Sequence, residues 1–496
     1  MSLKKKTVGG LLWTTASKMS MQLVLFAVNI ILARVLDKSD FGLAGMAMLV
    51  TVAISLINDS GLGTALVQRK EVSEEQKSTL FWGSVIFGGS LFLLAVMLSK
   101  PLADFFAQPR VRPIFIIQAI GFVVGSLGIV HKAQLVRAMD FRRLSLIEMS
   151  SMAVSGTVAV LLALSGAGVW SLVLNLLLRD TAVVLLVWWF SSWRPRWHFS
   201  WLEFKELFAF SAKVLANDVA ILLNTNADIS LVGRLLGAQA LGSYSLALNL
   251  VKLPVTQLSG IVAKVAFPAF ASVQSDLPTF RYGFRTAITF LSMVTFPILI
   301  GLAVFANEFI LIFLGAKWLD MVWPLILLVP MAMLKSVGTI KGSVLRAVGR
   351  PEIELGWNVA YLLPLAGVIY LGTHWGLIGV SAAFTILYVL TFPIIQTLTN
   401  RQVRLTNRDF FIALKPAALA GLMMLMAGVG FKWMNQTQWH WSPPLLFVVG
   451  LLVSLVVYLL VLWLLARQQA ETLLRLFREG KEKPNSAGMV LGKESR

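Results

Sequence analysis

Cysteine is absent from all 496 residues. That removes disulfides, thiolate nucleophiles and sulfur-ligated zinc together. Histidine is scarce as well. His131, His198, His374 and His440 lie far apart, without H-E-x-x-H or paired spacing, so no metal site is indicated. No G-x-x-x-x-G-K-[ST] loop occurs, which excludes nucleotide hydrolysis by this chain alone. Nothing calls for a cofactor. Charged residues make up only 14% of the chain, far below a soluble domain. Long polar stretches are also missing, so no segment outside the apolar runs is large enough to build an active site. An enzyme is therefore not expected.

What is present is hydrophobic sequence. Apolar residues account for 57% of the chain, and its mean hydropathy is +0.79. A helix needs roughly 20 such residues to cross a bilayer core. Fourteen stretches qualify: about 11–33, 41–63, 79–99, 113–131, 145–165, 168–190, 207–232, 240–262, 286–306, 321–341, 355–373, 376–397, 411–431 and 445–466. The expectation is an all-α integral membrane protein of about 14 transmembrane helices. Its first stretch lacks a small-residue cleavage site and is dotted with polar groups, which reads as a retained helix.

The net charge of +19 raises the question of nucleic acid, but its distribution answers it. Taking the N-terminus as cytoplasmic and alternating, the inside segments hold most of the basic residues, among them Lys4, Lys5, Lys6, Arg69, Lys70, Arg142, Arg143, Arg194, Arg196, Arg401, Arg404 and Arg408. This is the positive-inside pattern, and an even helix count leaves both termini cytoplasmic. The basic residues set topology and attract anionic membrane lipids, with no role for nucleic acid.

The chain also repeats itself. Residues 29–47 and 229–247 match at a constant offset of 200: Arg34 with Arg234, Leu36 with Leu236, Gly42 with Gly242 and Ala47 with Ala247. A second echo pairs Lys132, Arg137 and Ala138 with Lys341, Arg346 and Ala347 at offset 209. Equivalent points lie six helices apart, an even number, so both copies share one orientation and their pseudo-twofold axis runs along the membrane normal. The expected organisation is an N-lobe over 1–200 (helices 1–6), a C-lobe over 201–405 (helices 7–12), helices 13–14 over 406–466 and a basic cytoplasmic tail over 467–496. A shared short-loop geometry at two helix-start glycines is the competing explanation of the echo.

Ionisable groups inside the spans carry the functional signal, since each costs about 3 kcal/mol at a helix centre. On helix 1, Thr14, Lys18, Gln22 and Asn29 fall within about 80° of arc; on helix 7, Lys213, Asn217, Asn224 and Asp228 fall within about 60°. These are repeat-equivalent helices, so each half contributes one polar stripe. The stripes either line a central cavity or form a polar seam between the two helices. Helix 8 adds Asn249, Lys252, Thr256 and Ser259 on one face, and Lys335 lies mid-span on helix 10. Asp218 and Asp228 are candidate ion-coupling groups, or else neutralise Lys213 and its neighbours. Arg179 and Asp180 are adjacent, point about 100° apart, and are expected to pair with neighbouring helices. Asp59 and Glu148 lie near cytoplasmic ends, within reach of water or basic loops. Most of the sixteen Trp sit at span ends as an interfacial belt, whereas Trp433, Trp439 and Trp441 cluster at an outward loop where sugar contact is the open alternative.

Five segments in order resemble bacterial polysaccharide flippases: Asp40-Phe41-Gly42 with 59–68 (DSGLGTALVQ), Gly168-Val169-Trp170-Ser171-Leu172, Phe267-Pro268-Ala269-Phe270 with Asp276, and Leu314-Gly315-Ala316-Lys317-Trp318. The chain is similar to the polysaccharide transporter, or lipopolysaccharide flippase, family (colanic-acid exporter type) of the multidrug/oligosaccharidyl-lipid/polysaccharide exporter superfamily. The resemblance runs over residues 3–400 and weakens in helices 13 and 14. It implies fourteen helices in two lobes, a bacterial inner-membrane location, and flipping of undecaprenyl-diphosphate-linked oligosaccharide repeat units. A polysaccharide polymerase and glycosyltransferases are the protein partners it implies. The family transfers no agreed site residues, so Lys18, Lys213, Lys252, Lys335, Gln22, Asn29, Asn217 and Asn224 are substrate-binding candidates on the stripe argument alone. Lysines in place of the arginines of some relatives argue against bidentate phosphate recognition. Two other functions stay open: a cation-coupled multidrug exporter of the same fold, with Asp218 and Asp228 facing cationic drugs, and an assembly role without transport.

Overall fold

Apolar runs give this chain its helices, and in the computed structural model four of the described helices begin at a polar side-chain cap. The structure describes residues 20–22, 24–60, 66 and 72–482. Its side-chain description excludes 49–51, 53–60, 202–204, 206–225, 261, 263–265, 267–268 and 466–482. Fourteen helices cover the described residues, with no strand among them. They are α1 (Ser20–Val35), α2 (Lys38–Ser60), α3 (Glu74–Phe105), α4 (Val111–Arg137), α5 (Phe141–Leu164) and α6 (Val169–Phe190). The run Trp201–Ser272 is divided at Gly237 into α7 and α8. Then follow α9 (Leu277–Val304), α10 (Val322–Gly338, continued by Ile340–Ala347), α11 (Pro351–Gly372), α12 (Gly376–Gln402), α13 (Asn407–Met434) and α14 (Pro443–Glu482).

The caps are local chemistry. Ser73 and Gln76 form a capping box on α3, and Thr406 and Asp409 form another on α13. Asp140 accepts from the Arg143 N–H at the start of α5. Asp276 does the same for Thr279 at the start of α9, where Thr279 also donates its hydroxyl. Those two bonds favour the charged form, so the exposed Asp276 carboxyl titrates below its ordinary range. Between α7 and α8 the sequence predicts a loop. The structure replaces it with one glycine, Gly237 at φ 81 and ψ −179, a conformation that L side chains avoid.

Gly42 and Gly242 explain the first echo. A Cβ on Gly42 would collide with the Ala238 carbonyl, and a Cβ on Gly242 would collide with the Lys38 carbonyl. Ala238 is itself the offset-200 counterpart of Lys38. The starts of α2 and α8 therefore cross reciprocally, each glycine admitting the other helix's backbone, which is the signature of a local twofold. The second echo falls at two helix C-termini, where α4 closes at Arg137 and α10 at Ala347.

By packing, the described residues form two units: those of Met1–Leu246 with Asn358–Val380, and those of Ala247–Trp357 with Ser381–Arg496. Contacts thus follow a different partition from the lobes that the sequence repeat defines. In the first unit, α3 packs along α4, and both α4 and α5 pack on α6. The segment 191–200 lies back across α3, held by Arg196 N to Ser78 Oγ (3.1 Å), Ser200 N to Thr79 Oγ1 (3.2 Å) and Trp193 Nε1 to Glu74 Oε2 (2.7 Å). In the second unit, α13 packs between α9 and α14. Thr289 on α9 donates to the Ala413 carbonyl of α13 at 3.0 Å, and Tyr458 on α14 donates to the Met293 carbonyl of α9 at 2.9 Å. Phe280, Phe284, Phe296, Phe305 and Phe410 fill the space between.

Candidate functional site

Helix periodicity places polar groups on stripes, and the structure decides which of them are spent on packing. Lys18 lies outside the described residues, as does Thr14. The side chains of Lys213, Asn217, Asp218 and Asn224 also lie outside them, although the backbone of α7 is helical there. On α1, Gln22 is half-buried and Asn29 is exposed.

Asp228 is the one stripe carboxylate on α7 that is described, and it is 2% exposed. Its Oδ2 accepts a 3.0 Å hydrogen bond from the hydroxyl of Tyr244, itself fully buried at the start of α8. Its Oδ1 has no hydrogen-bond partner among the described residues. Tyr361 on α11 is a further electrostatic neighbour. Along α7, fifteen residues of helix, about 22 Å, separate Asp228 from Lys213. A buried carboxylate held by one neutral hydroxyl is a group able to take up a proton or a small cation.

On α8, Lys252 is half-buried and has no acidic partner among the described residues. Asn249 and Thr256 on the same face are exposed. Ser259 leaves that set: its hydroxyl donates to the Ser336 carbonyl of α10 at 3.1 Å. Ser336 in turn bonds Thr295 on α9 at 2.9 Å, so the weak polar face that accompanies Lys335 is used in helix packing. Lys335 itself is half-buried and partnered.

Other charges pair locally. The Arg179 guanidinium curls back on the adjacent Asp180 at 3.0 Å, instead of reaching neighbouring helices as the 100° offset predicts. A long flexible stem overrides the angle between two Cβ vectors. Lys132 on α4 faces Glu148 on α5 at 3.9 Å. Its repeat counterpart Lys341 on α10 lies 4.5 Å over the Phe392 ring and feels Glu354 of α11. Each half thus carries a lysine at the end of its fourth helix and an acid on its fifth. Tyr244 and Tyr361 escape a sequence reading because they reach Asp228 from other helices, at separations no periodicity reports. Among the described residues, no group of three or more His, Asp or Glu is placed to hold a metal ion.

A family model described as "Polysaccharide biosynthesis protein" matches residues 31–323. The chain is 30% identical to the teichuronic acid biosynthesis protein TuaB of Bacillus subtilis, across 97% of this chain and 99% of that one. It is 29% identical to the lipopolysaccharide biosynthesis protein WzxC of Escherichia coli, across 84% and 82% respectively. Its fold superposes on lipid II flippase MurJ in an inward closed conformation with a TM-score of 0.74, at 15% identity, over 92% of this chain and 99% of that one.

Proposed function

This chain belongs to the polysaccharide biosynthesis protein family of the multidrug/oligosaccharidyl-lipid/polysaccharide exporter superfamily, and from that premise we propose that it flips polyprenyl-diphosphate-linked oligosaccharide repeat units across the bacterial inner membrane. The product feeds exopolysaccharide or O-antigen synthesis. Both termini lie in the cytoplasm, where glycosyltransferases build the substrate, and a polysaccharide polymerase receives it outside. The lobes 1–200 and 201–405 rock about a cationic cavity while 406–466 and the basic tail 467–496 stand apart from the repeat. The substrate is moved and not transformed.

The observation that carries this reading is Lys252, a half-buried cation within a membrane helix that no described acid neutralises. Such a charge is costly unless an anion meets it. In the proposal, Lys18, Lys213, Lys252 and Lys335 supply point charges to the diphosphate, and Gln22, Asn29, Asn217 and Asn224 bond sugar hydroxyls. The polyprenyl tail stays in lipid. With no nucleotide motif, the work comes from an ion gradient or from removal of product. Asp218 and Asp228 are the proposed coupling groups; the buried, singly bonded carboxylate of Asp228 supports that assignment.

Export of polysaccharide by cells lacking the native flippase tests the reading. The native chain restores export. Replacing Lys18 and Lys213 together by Ala removes it while the protein stays in the membrane, since each lost charge-assisted contact is worth about 1.5–3 kcal/mol, or roughly tenfold to a hundredfold in affinity. Normal export from that double variant overturns the lysine clamp. Resistance to cationic drugs conferred by the native chain, without export, favours the multidrug alternative that Asp228 keeps open.

A further inference from the structure

Two aromatic-rich segments of this chain keep opposite company. Between α6 and α7, Trp193 and Trp197 alternate with Arg194 and Arg196, and Trp197 is 91% exposed. Indole beside guanidinium suits a surface of anionic headgroups. Between α13 and α14, residues 433–444 read WMNQTQWHWSPP and contain no acid, lysine or arginine. The companions there are amides, a threonine and an imidazole.

This second segment is built and not merely crowded. After α13 the backbone makes one wide turn over Asn435–Trp439 and closes at His440, whose N–H donates to the Asn435 carbonyl at 2.8 Å. Asn435 is buried, and its Oδ1 accepts the Trp441 N–H at 2.8 Å. The rings of Trp439 and Trp441 stack at 5.0 Å and 18°, and Phe431 meets both edge-on at 5.2 and 5.8 Å. Beneath them Lys432 is fastened to the buried Glu308 at 3.0 Å and to the Val304 carbonyl at 3.1 Å. Gln436, Gln438 and His440 are exposed around the stack.

We propose that the loop joining α13 and α14 is a glycan-contact platform, in which Trp439 and Trp441 stack against sugar rings and Gln436, Gln438 and His440 bond their hydroxyls. The stacked indoles offer a fixed apolar plane to the C–H face of a pyranose. Neutral amides satisfy hydroxyls that carry no charge, which a phosphate headgroup would not select. Trp82 and Trp197 also stack, at 4.4 Å and 17°, so what sets the Trp439–Trp441 pair apart is its uncharged amide and imidazole surroundings. Trp433, 63% exposed on the same turn, stands outside that pair. In the proposed topology, with cytoplasmic termini and alternating spans, this loop faces outward. The identity of the occupant rests on the proposed function: it is the oligosaccharide portion of the transported lipid as it leaves.

The full chain in phosphatidylcholine nanodiscs is treated with N-bromosuccinimide, with and without short oligosaccharides released by partial hydrolysis of the polysaccharide of the producing cells. Oxidation of each tryptophan is followed by peptide mass spectrometry. The expected result is protection of Trp439 and Trp441 with Trp433, Trp189 and Trp197 unchanged. Fluorescence titration should then give roughly tenfold weaker binding for Trp439→Ala. Gln436→Ala with Gln438→Ala, which leaves the ring stack in place, should also bind less tightly. Unprotected Trp439 and Trp441 at saturating oligosaccharide, or equal protection of Trp433 and Trp189, overturns the platform. If the platform fails while the native chain still restores export, the transport reading stands. If binding holds while export does not, that reading falls alone.

Discussion

Tyr244 meets Asp228 through one hydrogen bond, and among the described residues that is the one hydrogen bond given to a carboxylate only 2% exposed. Removing a partner from a buried acceptor costs about 1–3 kcal/mol. Tyr244→Phe should therefore lower stability by that amount, measured by unfolding in detergent. Adding Asp228→Asn should lose less than the sum of the two single changes, because the same contact is removed twice. Additive losses would mean that the hydroxyl and the carboxylate do not depend on each other. Burial also ranks the ion pairs. Arg350 and Glu352 are 61% and 59% exposed, and Arg350→Ala should cost no more than about 1 kcal/mol. Glu308 is 7% exposed at the side chain and leaves a buried carboxylate behind when Lys432 is truncated, so Lys432→Ala should cost about 3–5 kcal/mol. Equal melting shifts for the two variants would contradict this ranking.

At the level of elements, the crossing of α2 and α8 makes a symmetric demand. Gly42→Ala and Gly242→Ala each force a methyl against a carbonyl of the other helix and should destabilise to a similar extent, about 1–3 kcal/mol. Gly89→Ala on α3 meets open space and should be neutral or gain about 0.5–1 kcal/mol from helix propensity. A Gly42 variant as stable as Gly89→Ala would show that the helices do not cross there. Gly237 is a different kind of constraint. Its backbone lies in a region essentially confined to glycine, and Gly237→Ala should cost about 1–3 kcal/mol without any clash.

The absence of cysteine makes the whole molecule easy to interrogate. Single cysteines at positions 18, 213 and 252 should react with a small aqueous thiol reagent if those lysines face a common wet cavity. Protection at all three, with reaction at exposed control positions, would remove the cavity from the mechanism. The same experiment separates the two accounts of the polar stripes, because a dry helix–helix seam protects what a cavity exposes.

Helix number was legible from residues alone, because a bilayer imposes one length on every span. Gly42 and Gly242 stood out as well: a constant offset survives in sequence even when its purpose does not. What each polar residue does was not legible. Asp228 and Ser259 sit on the same kind of stripe as Lys252, yet Tyr244 and Ser336 claim the first two from other helices. Arg179 turns to its own neighbour. Helices α13 and α14 fall outside the repeat in sequence, while Thr289 and Tyr458 tie them to α9. Periodicity reports the face of a helix on which a side chain stands. Only the packing of one helix on another decides whether that face meets lipid, water or a partner, because those contacts join residues of different helices, from 16 to 165 positions apart.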